Sequence, residues 1–197
     1  MSVLGMKNER TSVFIDGANL YGATKSLGYE LDFKKLRNFF DENTNLVRCN
    51  YYTAMLEDDE GVDKLRPLVD FLDYNGYNCV TKPAKEFTDV LGRKKIKGNL
   101  DCEIIVDMIE ASTHSEQIVL FSGDGDFKSA VALLQRRGCK VTVVSTLKVQ
   151  ITADELRRQC DNFIELDDLA KIVGRETKVP KTYSEPAPFE RVTLRRA

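Results

Sequence analysis

Gln117-Ile118-Val119-Leu120-Phe121-Ser122-Gly123-Asp124-Gly125-Asp126-Phe127 is an apolar run that stops abruptly in glycines and carboxylates, and a helical pattern continues from Phe127 to Arg137. A buried strand that ends this way sets its acids at the carboxyl end of a sheet, which is where open α/β folds bind ligands. Two aspartates two residues apart cannot both cap one helix, so at least one of Asp124 and Asp126 needs another partner: a cation, a lysine or water. Taken alone, the stretch reads equally well as a plain strand-to-helix turn with one capping aspartate.

Working outward, the same punctuation recurs near the N-terminus, where Thr11-Ser12-Val13-Phe14-Ile15 runs into Asp16-Gly17-Ala18-Asn19-Leu20. Between these two strand ends the periodicities alternate. Leu20–Leu27 reads as the start of a helix or as a long loop, helical spacing follows in Phe33–Phe40, a strand in Leu46–Tyr52, and a helix carrying Leu65, Leu68, Val69 and Leu72, which Gly76 stops. Tyr77–Pro83 reads as a strand closed by its proline, and Phe87–Gly98, centred on Leu91-Gly92-Arg93, as a short hairpin. Leu100, Ile104, Ile105, Met108 and Ile109 then give a helical apolar face with Asp101 in its first turn. Beyond the opening stretch come a strand at Lys140–Ser145, a helix at Ala153–Gln159, a strand at Asn162–Leu166 and a helix at Asp167–Val173. This alternation predicts an α/β fold, a mainly parallel sheet with helices on both faces and right-handed crossovers. Strand order is not readable.

At 197 residues, 42% hydrophobic and 30% charged, the chain has the length for one well-cored α/β domain. No apolar run approaches the roughly 20 residues of a membrane span, and Met1–Lys7 lacks a signal peptide's apolar core, so a cytoplasmic protein with no membrane contact is expected. Five cysteines, odd in number and widely spaced, indicate reduced core thiols and no zinc site, while His114 is the only histidine. Catalysis, if present, falls to carboxylates and lysines. The net charge of −2 is unevenly spread: residues 174–197 carry six Lys/Arg against three glutamates, and Lys82–Lys97 carries six basic residues against Glu86 and Asp89. Apolar periodicity stops at Gly174, where prolines appear among charges, so the expected division is an extension over 1–10, a domain over 11–173 and a disordered basic tail over 174–197.

Four acids therefore stand where one site collects them: Asp16, Asp101, Asp124 and Asp126. Gathered carboxylates repel one another at neutral pH, and a divalent cation is the simplest partner. Oxygen donors favour Mg²⁺ or Mn²⁺ over Zn²⁺, and such ions serve phosphodiester hydrolysis. Asn19 and Ser122 are placed to orient water or a phosphate oxygen. Lys97, with Lys94 and Lys95, is placed to meet phosphate.

Phe14-Ile15-Asp16-Gly17-Ala18-Asn19, Lys97-Gly98-Asn99-Leu100-Asp101 and Ser122-Gly123-Asp124-Gly125-Asp126-Phe127, in that order, resemble the three signature blocks of the NYN domain, the LabA-like branch of the PIN-like nuclease superfamily. The resemblance spans about Ser12 to Val173. It implies a three-layer α/β/α PIN-like Rossmannoid sandwich, metal-dependent RNA cleavage and a site built on Asp16, Asp101, Asp124 and Asp126, with Asn19 and Ser122 in support. Asn99-Leu100 departs mildly from the usual third block. Asp107 is a weaker candidate, since six residues from Asp101 is about 240° around a helix. Homodimers are common among PIN-like proteins, although no interface signature stands out.

Two rivals remain at this point. A haloacid-dehalogenase-like phosphatase shares the Gly123–Asp126 pattern, but that chemistry needs an acid two residues after its nucleophile, and position 18 is alanine. A non-catalytic RNA-binding module on the same fold would use Lys94, Lys95, Lys97 and the basic tail. Tyr51, Tyr52, Tyr74 and Tyr77 are candidates for base stacking and equally for packing.

Overall fold

The computed structural model describes residues 8–55, 65–88 and 94–176. Six parallel strands make the central sheet: β1 (Arg10–Asp16), β3 (Asn45–Met55), β4 (Tyr77–Pro83), β7 (Gln117–Phe121), β8 (Lys140–Ser145) and β9 (Asn162–Glu165). Their order is β4-β3-β1-β7-β8-β9. From β1 the chain winds outward through β3 to β4, then returns to lay β7 on the other side of β1 and winds outward again to β9. The strand order thus reverses between β1 and β7, and the carboxyl ends of strands at such a switch point are where open α/β folds bind ligands.

Alternate residues of the central strands fill opposite layers. Val13, Ile15, Val119 and Phe121 pack against α1 (Gly17–Leu27), α2 (Phe33–Asn43), α3 (Arg66–Tyr74) and α7 (Leu166–Val173), through Leu20, Phe40, Leu72 and Leu169 among others. Phe14, Ile118 and Leu120 pack against α4 (Asp101–Ala111), α5 (Lys128–Arg136) and α6 (Asp154–Gln159), through Met108, Leu134 and Leu156. This is the expected three-layer α/β/α sandwich. Strands buried on both faces read as continuous apolar runs, which is why Gln117–Phe121 carries no alternation. Each fully buried side chain of this size contributes about 1.5–3 kcal/mol.

Three features differ from the sequence expectations. Residues 174–176 do not begin a tail: β10 (Gly174–Glu176) pairs antiparallel with β2 (Tyr29–Leu31), and the Arg175 guanidinium lies 2.9 Å from Asp32 Oδ2. Strands of three residues are too short to show a period, so both were invisible. The helical pattern from Phe127 is preceded by a 3-10 turn, Gly125–Phe127, which moves the α5 start to Lys128. Cys102 is exposed, whereas Cys49 and Cys139 are buried, and all five thiols are free.

The hairpin is present as β5 (Lys85–Thr88) antiparallel to β6 (Lys94–Lys97). Gly76, at φ 81°, closes α3 in the left-handed conformation its position demands. Among the described residues no helix is long and apolar enough to cross a membrane.

Candidate metal centre

Ile15 of β1 pairs with Phe121 of β7, so the residues that follow, Asp16 and Ser122, emerge side by side at the switch point. Asp16 caps α1: its Oδ1 accepts the Asn19 backbone N–H at 3.1 Å, and its Oδ2 accepts the Ser122 hydroxyl at 3.3 Å. Asn19 Oδ1 in turn accepts the Gly123 N–H at 3.0 Å, and Ser122 Oγ accepts the Asp124 N–H at 3.2 Å. Asn19 and Ser122 therefore tie the two strand-end loops together. Ser122 is 1% exposed and spent on these bonds, so its part is positioning, not the contact with water or phosphate expected of it.

In the second loop Asp124 is the cap, accepting the Asp126 N–H at 3.0 Å, which leaves the Asp126 carboxylate without a backbone duty. The division expected from two aspartates two apart is the one observed. Gly123 lies so close to the loop before α6 that a Cβ there would stand 2.6 Å from the Ile151 carbonyl oxygen. A larger residue would displace both carboxylates.

The third acid arrives on α4. The Asp101 N–H donates to Asn99 Oδ1 at 2.6 Å, and Asn99 Nδ2 donates back to Asp101 Oδ2 at 2.5 Å. Asn99 is thus a positioning residue that sequence reasoning registered only as a departure from a motif. An Asn two residues before an acid at a helix start was the available signal.

Asp101, Asp124 and Asp126 each bring one carboxylate oxygen within 4.8 Å of the others. Two oxygens on one Mg²⁺ at roughly 2.1 Å lie at most about 4.2 Å apart, so small carboxylate rotations close the set. Among the described residues no lysine or arginine is within ion-pair distance of these acids or of Asp16. Asp16 stands outside the trio. Burial raises its pKa, and the charge of Asp101 adds to the rise against the bonds from Asn19 and Ser122. The Asp101 pKa is raised likewise, by burial and by the charges of Asp124, Asp126 and Glu103, with Asn99 opposing. An all-oxygen, uncompensated donor set of this kind fits a hard divalent cation.

Asp107 does not join the cluster. The Tyr52 hydroxyl donates to its Oδ2 at 2.7 Å, and Tyr52 is 1% exposed, with its own pKa raised by burial and then by that carboxylate. Tyr52→Phe is expected to cost about 2 kcal/mol by leaving Asp107 without this donor, readable as a lower denaturant midpoint at unchanged m-value. Lys94, Lys95 and Lys97 fall on β6, whose side chains lie outside the described residues. Lys82, of the same basic stretch, is paired with Glu103 at 2.7 Å. Of the four tyrosines proposed for stacking, Tyr51, Tyr52 and Tyr77 are buried and Tyr74 is 92% exposed.

Comparison with known proteins agrees with this geometry. The family model of the NYN domain matches residues 10–167. Low amplitude and bright protein LabA of Synechococcus elongatus is 33% identical over 187 residues, which cover 93% of this chain and 97% of LabA. A crystal structure of a protein of unknown function from Vibrio parahaemolyticus superposes with a TM-score of 0.67 at 25% identity, covering 84% of this chain and 97% of that one.

Proposed function

The chain belongs to the NYN domain family, and from that premise we propose that it is a ribonuclease, an endonuclease that hydrolyses RNA phosphodiester bonds with Mg²⁺ or Mn²⁺ at Asp16, Asp101, Asp124 and Asp126. The observation that carries this reading is the convergence of Asp101, Asp124 and Asp126 beside the switch point, with no basic side chain among the described residues to neutralise them. Those three would hold the ion, with Asp16 as the fourth acid. When bound, the ion supplies Lewis-acid chemistry: it makes water a nucleophile at neutral pH and offsets charge on the phosphoryl group.

The chain's own residues do the rest. The Asn19 and Ser122 bonds fix Asp16 against the second loop, so the two halves of the site keep their spacing through the reaction. Asp16, partly buried and with its pKa raised, is a stronger base than an exposed carboxylate, and it accepts the proton released as water attacks phosphorus. Lys94, Lys95 and Lys97, on the hairpin that leads into Asp101, contact the flanking phosphates. The reading places the protein in the cytoplasm, in keeping with five unpaired thiols.

The test is incubation of the purified protein with labelled single-stranded RNA in Mn²⁺ and in EDTA. Cleavage is expected only with the ion, and Asp124→Asn, which retains an oxygen to cap the 3-10 turn, is expected to lower the rate by on the order of a hundredfold or more. Cleavage that survives both EDTA and Asp124→Asn overturns the proposal. Tight RNA binding without cleavage by the wild type replaces it with a binding module.

A further inference from the structure

At the amino ends of β3 and β4, the opposite edge of the sheet from the carboxylates, lies a cavity of about 300 Å³. The charged groups of its lining are two guanidiniums, Arg37 from α2 and Arg48 from β3, and no acid lines it. β4 starts opposite Cys49, so Leu46–Arg48 has no strand on that side, and Val47 is also skipped in the register with β1. A β4 longer at its amino end would fill this space.

Arg37 says what enters it. Its Nε is buried and has no hydrogen-bond partner. The guanidinium lies against Gly76, where a Cβ would stand 2.9 Å from Nε and 3.4 Å from Nη2, so the glycine that turns the chain also makes room for the charge. Among the described residues no hydrogen bond or ion pair engages Arg37 or Arg48. An arginine kept for structure would spend Nε on a carbonyl or carboxylate. The neighbours supply no counter-charge either. Burial pushes the Cys49 thiol up to about 12 and raises the Tyr77 hydroxyl as well, so both stay protonated, and that hydroxyl donates to the Phe33 carbonyl at 2.7 Å. Asp41 and Asp32, whose charges are felt at Cys49 and Tyr77, form no ion pair with either arginine, and Asp32 is taken by Arg175. A guanidinium half-removed from water without a counter-charge is costly, and an entering anion offsets that cost. Two guanidinium forks on one small cavity match a tetrahedral oxyanion, which has acceptor oxygens for both.

We infer that this cavity binds the phosphate group of a small phosphate monoester, or phosphate itself, between Arg37 and Arg48. The volume lies at the lower limit of small-molecule sites, which suits a phosphate carrying a small organic part. The site is set apart from Asp16 by the length of β1, about 20 Å, so it does not depend on the ribonuclease reading.

The test uses the full, metal-free chain in chloride buffer, with inorganic phosphate, glycerol phosphate and adenosine monophosphate as probes read by titration calorimetry. Saturable binding of at least one probe is expected. Arg48→Gln, at an exposed position, and Arg37→Met are each expected to weaken it roughly tenfold. Lys35→Gln, which removes an equal charge from an exposed position on α2, is expected to leave it unchanged. Without phosphate, Arg37→Met is expected to melt no lower than the wild type, because it removes an unpaired buried nitrogen. Tighter binding of an ester gives the cavity to its organic part as well, and equal affinity gives it to phosphate alone; both outcomes support the site. No saturable binding by any probe, or arginine variants that match the wild type, refutes it. An Arg37→Met protein that melts lower yet binds as tightly makes Arg37 a structural residue and overturns the assignment. A labelled RNA strand supplies the last arm: if it binds and loses affinity in Arg48→Gln while the small phosphates do not bind, this edge is a nucleic-acid contact and the assignment falls.

Discussion

Gly17→Ala is expected to lower stability by about 3 kcal/mol, seen as a fall in melting temperature of roughly 6–12 °C. A Cβ at Gly17 would stand 2.7 Å from the Tyr52 carbonyl oxygen and 2.6 Å from the Tyr51 hydroxyl. The carbonyl belongs to β3, hydrogen-bonded between β1 and β4, so it cannot retreat without disturbing the sheet. Tyr51 is packed edge-on against Phe33, with ring centroids 5.6 Å apart, and has little more freedom. The methyl is accommodated by lifting the start of α1, which also pulls Asn19 from Gly123 and loosens Asp16. Gly22→Ala supplies the control. It lies in the middle of the same helix with nothing within 4 Å of a Cβ, and there the change is expected to stabilise by about 0.5–1 kcal/mol. Opposite signs in one helix would show that the cost at Gly17 is contact and not propensity. A Gly17→Ala protein as stable as the wild type would mean that α1 is not seated against β3 as described.

Those contacts also mark what the sequence could and could not convey. The acids were legible because a strand cannot end in Asp-Gly or Gly-Asp-Gly-Asp without presenting polar groups at a sheet edge, and the alternation of periods then placed both ends on the same edge. Strand order was not, since nothing in the run Val13–Ile15 says that it sits between β3 and β7; that depends on which face each crossover helix covers. The site's membership was legible only as a set. That Asp16 is bonded to Ser122 and Asn19 while Asp101, Asp124 and Asp126 form the close trio depends on side-chain distances that no spacing encodes.

Mn²⁺ is expected to raise the melting temperature of the wild type by about 5–10 °C at a hundredfold excess over its dissociation constant, and that of Asp124→Asn far less. The reason lies in the charge balance of the cluster. Three carboxylates share a small volume with no lysine or arginine in reach among the described residues, so the metal-free fold carries their repulsion and a cation relieves it. The same balance fixes the sign of a pH effect. The pKa of Asp101 is raised in the fold, so the folded state holds a proton more readily than the unfolded chain does. Stability contributed by this group therefore falls as pH rises from the ordinary carboxylate range through the raised value. Without metal, Asp101→Asn should melt higher than the wild type near pH 7, and the advantage should shrink as the pH is lowered and the wild-type acid takes up its proton. Acids held by cations behave in the opposite sense: Asp167, whose pKa is lowered by Lys148 and Lys171, loses its contribution as the pH falls through its lowered value, below the window used here. The two sets are thus separable in one titration. If Mn²⁺ shifts Asp124→Asn as far as the wild type, the ion binds elsewhere and the trio is not its site. If Asp101→Asn melts lower than the wild type at neutral pH, the Asn99–Asp101 bonds outweigh the repulsion, and the uncompensated charge that makes the cluster a cation site is smaller than the geometry implies.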